Sequence, residues 1–164
     1  MQQTQKRQIV RVTRVAVSDR ESGAAPIPDA VRIGNIFASS LLPGRDMTAG
    51  GSTPANPDAQ AAAMFRNIRS ALEQVGGTPE DIVQFTVYIQ GEEYRPPVNK
   101  EWLKMFPDPD NRPARIVVYR DFGRERTETN RESGGTPGPQ SAIPPARVPI
   151  YFEVSFIAVL ATNR

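Results

Sequence analysis

A chain of 164 residues, 38% hydrophobic and 23% charged, is sized and composed for one globular domain, and its 20 Lys and Arg against 18 Asp and Glu leave a formal charge of only +2. It contains no histidine and no cysteine, which excludes Ser-His-Asp and Cys-His catalysis, disulfides and Cys-based zinc sites. Any catalysis therefore runs on carboxylate, guanidinium, ammonium, hydroxyl, backbone groups and water, and basic residues scattered among acidic ones disfavour nucleic acid as a partner.

No apolar run approaches the roughly 20 residues of a membrane span. The opening MQQTQKRQIVRVTRV is interrupted by Arg11 and Arg14 where a signal peptide needs a continuous apolar core, so a cytoplasmic protein is expected. Residues 8–17, QIVRVTRVAV, predict a first strand from their Val and Ile content. Residues 31–39, VRIGNIFAS, predict a second, carrying a hairpin turn at Gly34-Asn35. A Gly/Pro-rich loop follows. Asn56 as cap, Pro57 in the first turn and Asp58 at the positive end of the dipole then announce a helix. Its apolar stripe is Met64, Phe65, Ile68, Ala71, Leu72 and Val75, and Gly76-Gly77 ends it. Thr78 to Asp81 make a capped turn into a strand over residues 82–89. A second helix over 97–106 presents Val98, Trp102, Leu103 and Phe106. Residues 123–149 are polar, Gly/Pro-rich and aperiodic, a long excursion that is either a functional lid or a solvated insertion. Strands from Ala114 and over 150–160 complete an α+β domain, with helices on one face of a mixed sheet.

Two charges interrupt the most strand-like segments: Arg115 in RPARIVVY and Glu153 in IYFEVSFIAVL. Alternation puts Arg115 with Val117 and Tyr119, opposite Ile116 and Val118, and Glu153 with Tyr151 and Ser155, opposite Phe152, Val154 and Phe156. The uncharged faces are expected to be the core under the helices, and the charged, semi-apolar faces to be covered by another subunit. One reading pairs Arg115 with Glu153 across neighbouring strands, worth well under ~1 kcal/mol if exposed. The other makes Arg115 a fork for a carboxylate and Glu153 a general acid/base or orienting acceptor.

The segments AVRIGNIFASSLLP (30–43), VNKEWLKMF (98–106), RPARIVVY (112–119) and YFEVSFIAVL (151–160), in that order, resemble the Rid family (YjgF-type) of enamine and imine deaminases. The resemblance covers residues 25–160 apart from the 123–149 insertion, and implies a single Rid-like domain over 1–164. It further implies a chorismate-mutase-like fold, a mixed β-sheet with two helices on one face, assembled as a homotrimer with sites between subunits. By resemblance, Arg115 holds the substrate carboxylate and Glu153 accompanies the attacking water. Asn99, Ser39 and Val117 line the site, although Asn99 by spacing could equally cap the second helix. The implied activity is hydrolysis of a reactive carboxylate-bearing enamine or imine to a 2-oxo acid and ammonia, without cofactor or metal, and the departures from the family pattern below point to a larger or more apolar enamine than 2-aminoacrylate. A non-catalytic ligand-binding or interaction protein on the same scaffold is the alternative, and the ribonuclease activity also attached to the family finds no support here beyond scattered arginines. Ile27 stands where the family carries a site tyrosine, Val117 where many members have cysteine, and Arg112 where an aromatic is usual. The anchor and the acid/base candidate are thus kept in a remodelled pocket.

Overall fold

The computed structural model describes residues 6–12, 27–122 and 148–161. Of the expected excursion at 123–149, only Val148 and Pro149 fall among these residues, and positions 13–17 of the expected first strand lie outside them. Seven strands form one sheet: β1 (Gln8–Val10), β2 (Ala30–Ile33), β3 (Ile36–Ser39), β4 (Leu42–Pro43), β5 (Ile82–Ile89), β6 (Ala114–Tyr119) and β7 (Phe152–Val159). Among the described residues two α-helices, α1 (Pro57–Glu73) and α2 (Arg95–Met105), accompany the sheet. The sheet order is β1-β2-β3-β7-β5-β6, with β4 also pairing β7. All pairings are antiparallel except β5–β6, which is parallel and bridged by α2. A parallel pair needs a crossover of a dozen or more residues, and α2 supplies it. No helix among the described residues is long and apolar enough to cross a membrane.

Local chemistry accounts for the element boundaries. Gly34 adopts φ 59° and turns β2 into β3, as the Gly-Asn dipeptide predicts. Asn56 Oδ1 accepts from the Asp58 amide, Pro57 opens α1, and Gly76 leaves it in the left-handed region. Gly44 lets the chain cross α1 at close range, since a Cβ there would run into the Gln60 carbonyl group.

The core lies between the helices and one sheet face. Met64, Phe65, Ile68, Ala71, Leu72 and Val75 are all buried, as their spacing requires. They meet Phe37, Phe85, Val87, Phe152, Val154 and Phe156 from the sheet. Helix α2 starts two residues earlier than expected and buries Val98, Trp102 and Met105, whereas Leu103, expected in the core, is exposed. Spacings of four and three keep positions 98, 102 and 105 on one stripe, and Leu103 lies about 100° round the helix from Trp102.

Among the described residues the opposite sheet face carries no helix. Ile9, Ile33, Ile36, Ile116, Ile157 and Val159 there keep between 38 and 51% of their surface exposed, a density of apolar side chains unusual for a solvated face. Partner registers bring them together: Ile9 with Val31, Ile33 with Ile36, and Ile36 with Val159.

Candidate active site

Arg115 lies on the helix-covered side of the sheet, not on the open side that its charge suggested. Its register partner on β5 is the buried Phe85, and its same-face neighbour Val117 opposes the buried Val87 and packs on the core. Ile116, expected in the core, is exposed on the open face, and Val118 shares that face. The physical reason is Trp102. The guanidinium carbon sits 5.0 Å from the centre of its ring, so the arginine stem covers apolar surface while an aromatic face receives the charge. Trp102 in turn meets Phe85 edge-on at 5.0 Å and Phe106 at 4.5 Å, which fixes the platform in the core.

One fork nitrogen of Arg115, Nη1, donates to Asn99 Oδ1 at 2.8 Å. Asn99 is the fifth residue of α2, not its cap; the N-cap position is Tyr94. Arg115 Nε is buried without an acceptor, and among the described residues no carboxylate pairs with the guanidinium. Burial holds its pKa below the usual arginine value, and the neighbouring charge of Arg95 adds to the effect. A guanidinium that is half-desolvated, oriented and without a carboxylate has the donor geometry to receive a planar anion.

Glu153 faces the open side, as the alternation predicts, with Tyr88 opposite it on β5 and Pro43 opposite on β4. Burial pushes its carboxyl above the ordinary range, while Arg120 and Arg45 pull the other way. Arg120 Nη1 approaches Glu153 Oε2 at 3.4 Å. Arg115 and Glu153 do not pair, because β5 separates their strands and they point to opposite faces. Arg115 is level with Phe156 and therefore about 10 Å along the strand from Glu153, and about 10 Å across it, by standard strand spacings.

Ser39 sits where β3 leaves β7. Its Oγ accepts from the Phe156 amide at 2.8 Å, closing the gap before β4 rejoins β7 at Leu42 and Val154. The structure thus brings Arg115, Asn99 and Val117 together on one side of the sheet, and ties Ser39, which alternates onto the face of the buried Phe37, to β7 at Phe156, three residues along the strand from Glu153. Ile27 is exposed. Arg112 ties the exit of α2 through its Nε to the Phe106 carbonyl at 3.0 Å, a structural use for the residue that replaces an aromatic.

Sequence reasoning missed three contributors. Trp102 read only as a core residue of an apolar stripe. Arg120 was not singled out, although its place just past β6 sets it beside the start of β7. Gln60, buried in α1, donates to the Pro54 and Pro149 carbonyls and accepts from the Tyr151 amide, clamping the entry of β7. A polar residue inside an otherwise apolar helix stripe was the available signal.

Residues 19–119 match the family described as Endoribonuclease L-PSP. A RutC family protein of Haemophilus influenzae is 31% identical over 111 residues, covering 65% of this chain and 84% of the relative. Among solved structures, the yjgF gene product of E. coli aligns with TM-score 0.62 at 22% identity, over 95% of this chain and 98% of that one. E. coli TdcF, determined with bound serine, aligns with TM-score 0.63 at 19% identity, over 94% of this chain and 99% of that one. RidA from an Antarctic Psychrobacter aligns with TM-score 0.62 at 21% identity, over 96% of this chain and 100% of that one. With its mixed sheet and two helices packed on one face, the chain belongs to the Rid/YjgF-type family of Endoribonuclease L-PSP proteins.

Proposed function

We propose that this protein is a deaminase that hydrolyses a carboxylate-bearing enamine or imine to a 2-oxo acid and ammonia. The observation that carries the reading is Arg115: a guanidinium laid on Trp102, aimed by Asn99, and without a carboxylate partner among the described residues. Its free N–H groups match a 2-carboxylate, which places the adjacent imine carbon at a fixed distance. Val117 forms the apolar wall beside it.

The chemistry asks little of the protein. An enamine takes a proton on carbon from water to become the imine, whose C=N carbon is already electrophilic. Water adds to that carbon, its proton passes to Glu153 and then to the nitrogen, and ammonia leaves as the C=O bond forms. A carboxyl whose proton affinity is raised by burial is a stronger base for that transfer than an ordinary carboxylate. Ser39 keeps its O–H free to donate while its oxygen accepts from Phe156.

Arg115 and Glu153 lie on opposite faces of one sheet, so a site that uses both draws Glu153 from a second copy. The exposed apolar face supports such an assembly, and the homotrimer implied by the family resemblance is the form we propose. Imines generated in situ from amino acids by an oxidase provide the test, with 2-oxo acid and ammonia release as readout. Arg115→Ala, checked for native folding by circular dichroism, is expected to abolish the acceleration; full rate in that variant refutes the anchor role.

A second reading has its own observation. Arg120 already engages one oxygen of Glu153, as it would in a protein that binds a carboxylate ligand without turning it over. Mass spectrometry of the purified protein with 2-oxo and amino acids separates the two: retention of ligand with no ammonia release favours binding alone.

A further inference from the structure

The seam between α2 and β6 that holds Arg115 carries a second guanidinium that the proposed reaction does not use. Arg95 opens α2 four residues before Asn99, so the two side chains lie one turn apart on the same helix stripe. Arg115, Val117 and Tyr119 form the facing row on β6. The rows meet twice: Asn99 accepts from Arg115, and the Arg95 guanidinium lies 5.8 Å over the Tyr119 ring. The Arg95 charge is close enough to act on Arg115 itself.

Charge in this seam is not balanced. Both arginines keep a buried Nε–H without a hydrogen-bond acceptor. Among the described residues the only carboxylate near either is Glu92, 3.1 Å from Arg95 Nε but off the line of its N–H. Glu92 is 66% exposed and also accepts the Tyr119 hydroxyl, so it steadies Arg95 and Tyr119 from the solvent side. Two guanidiniums on facing rows, with a single exposed carboxylate beside Arg95 and none on Arg115, suit a ligand with two acid groups.

We propose that Arg95 is a specificity-determining residue that binds a second carboxylate, making the substrate the imine of a dicarboxylic amino acid. The proposal rests on the reading that Arg115 holds the 2-carboxylate. In that pose the side-chain carboxylate extends along the seam toward Arg95 and Tyr119, while the imine carbon stays beside Arg115.

Calorimetry with 2-oxo acids measures this apart from turnover. Oxaloacetate and 2-oxoglutarate are expected to bind at least about tenfold more tightly than pyruvate and 2-oxobutyrate, and Arg95→Gln to bring the ratio close to one, about 1.4 kcal/mol by the usual conversion. Arg95→Lys, which keeps the charge but not the fork, is expected to retain part of the preference. Equal affinity for the two classes in the wild type, or a preference that survives Arg95→Gln, overturns the inference. Imines generated from aspartate, glutamate, alanine and 2-aminobutyrate complete the test. Preference in binding without hydrolysis of any imine supports the ligand class and refutes the deaminase reading. Hydrolysis without preference supports that reading and refutes the role of Arg95.

Discussion

Replacing Arg115 by methionine separates what the guanidinium does for a ligand from what it does for the fold. Two charge-assisted hydrogen bonds from the fork to a carboxylate are each worth about 1.5–3 kcal/mol. Their loss amounts to about 3–6 kcal/mol, which at 1.4 kcal/mol per decade lowers kcat/KM by about 10²–10⁴. Stability behaves differently. The variant forfeits the contact with Trp102, about 0.5–1 kcal/mol, and the bond to Asn99, about 1 kcal/mol net. Against this it removes a half-buried unpaired cation and a buried N–H without an acceptor, a group whose desolvation costs about 1–3 kcal/mol. The terms cancel to within about 1 kcal/mol, and a thioether packs well on an indole. For a domain of this size that is a Tm change of no more than about 4 °C. The assay is steady-state ammonia release from in situ imines, beside a thermal melt monitored by circular dichroism. A fall in Tm beyond about 8 °C would show that the guanidinium is part of the framework. A kcat/KM within threefold of wild type would show that it touches no substrate.

If the ionised Glu153 carboxylate acts on water, kcat/KM climbs as that group loses its proton, and the acid limb of the pH–rate profile lies above the ordinary carboxylate range. Arg120→Met removes a cation that lowers this pKa and is expected to move the limb to higher pH; an unmoved limb assigns it to another group. The same raised pKa means that the folded state binds the proton more tightly than the unfolded chain. Glu153 therefore favours folding below the ordinary carboxylate range and loses that contribution as pH rises through its raised value, so Glu153→Gln is expected to be more stable than wild type at neutral pH by denaturant titration. Phe85→Ala takes away the ring on which Phe65, Trp102 and Phe106 converge and is expected to cost about 3–5 kcal/mol in urea unfolding. Ile36→Lys with Ile157→Glu charges the open sheet face; sedimentation is expected to show smaller particles with the secondary structure intact, and an unchanged mass places the association surface elsewhere.

The local elements were legible in the residues because their signals act over a few positions. Asn56-Pro57-Asp58 starts a helix, Gly76 ends it, Gly34-Asn35 turns a hairpin, and residues 82–89 are a strand wherever the rest of the chain goes. Glu153 was correctly placed on the open face because Phe152, Val154 and Phe156 made the other face unmistakably the core. Arg115 was misplaced because both faces of β6 are similarly apolar, and a charge seemed to mark the uncovered side. Only the packing of α2, which carries Trp102 and Asn99 onto that strand, decides that the guanidinium is received on the helix side. The neighbourhood of Arg95, Arg115 and Tyr119, the reach of Arg120 to Glu153, and the separation of Arg115 from Glu153 by β5 were likewise beyond local reading. Period and capping report what each segment does with its own backbone. Which side chains meet depends on strand order and helix placement, and those follow from the burial of the whole core at once.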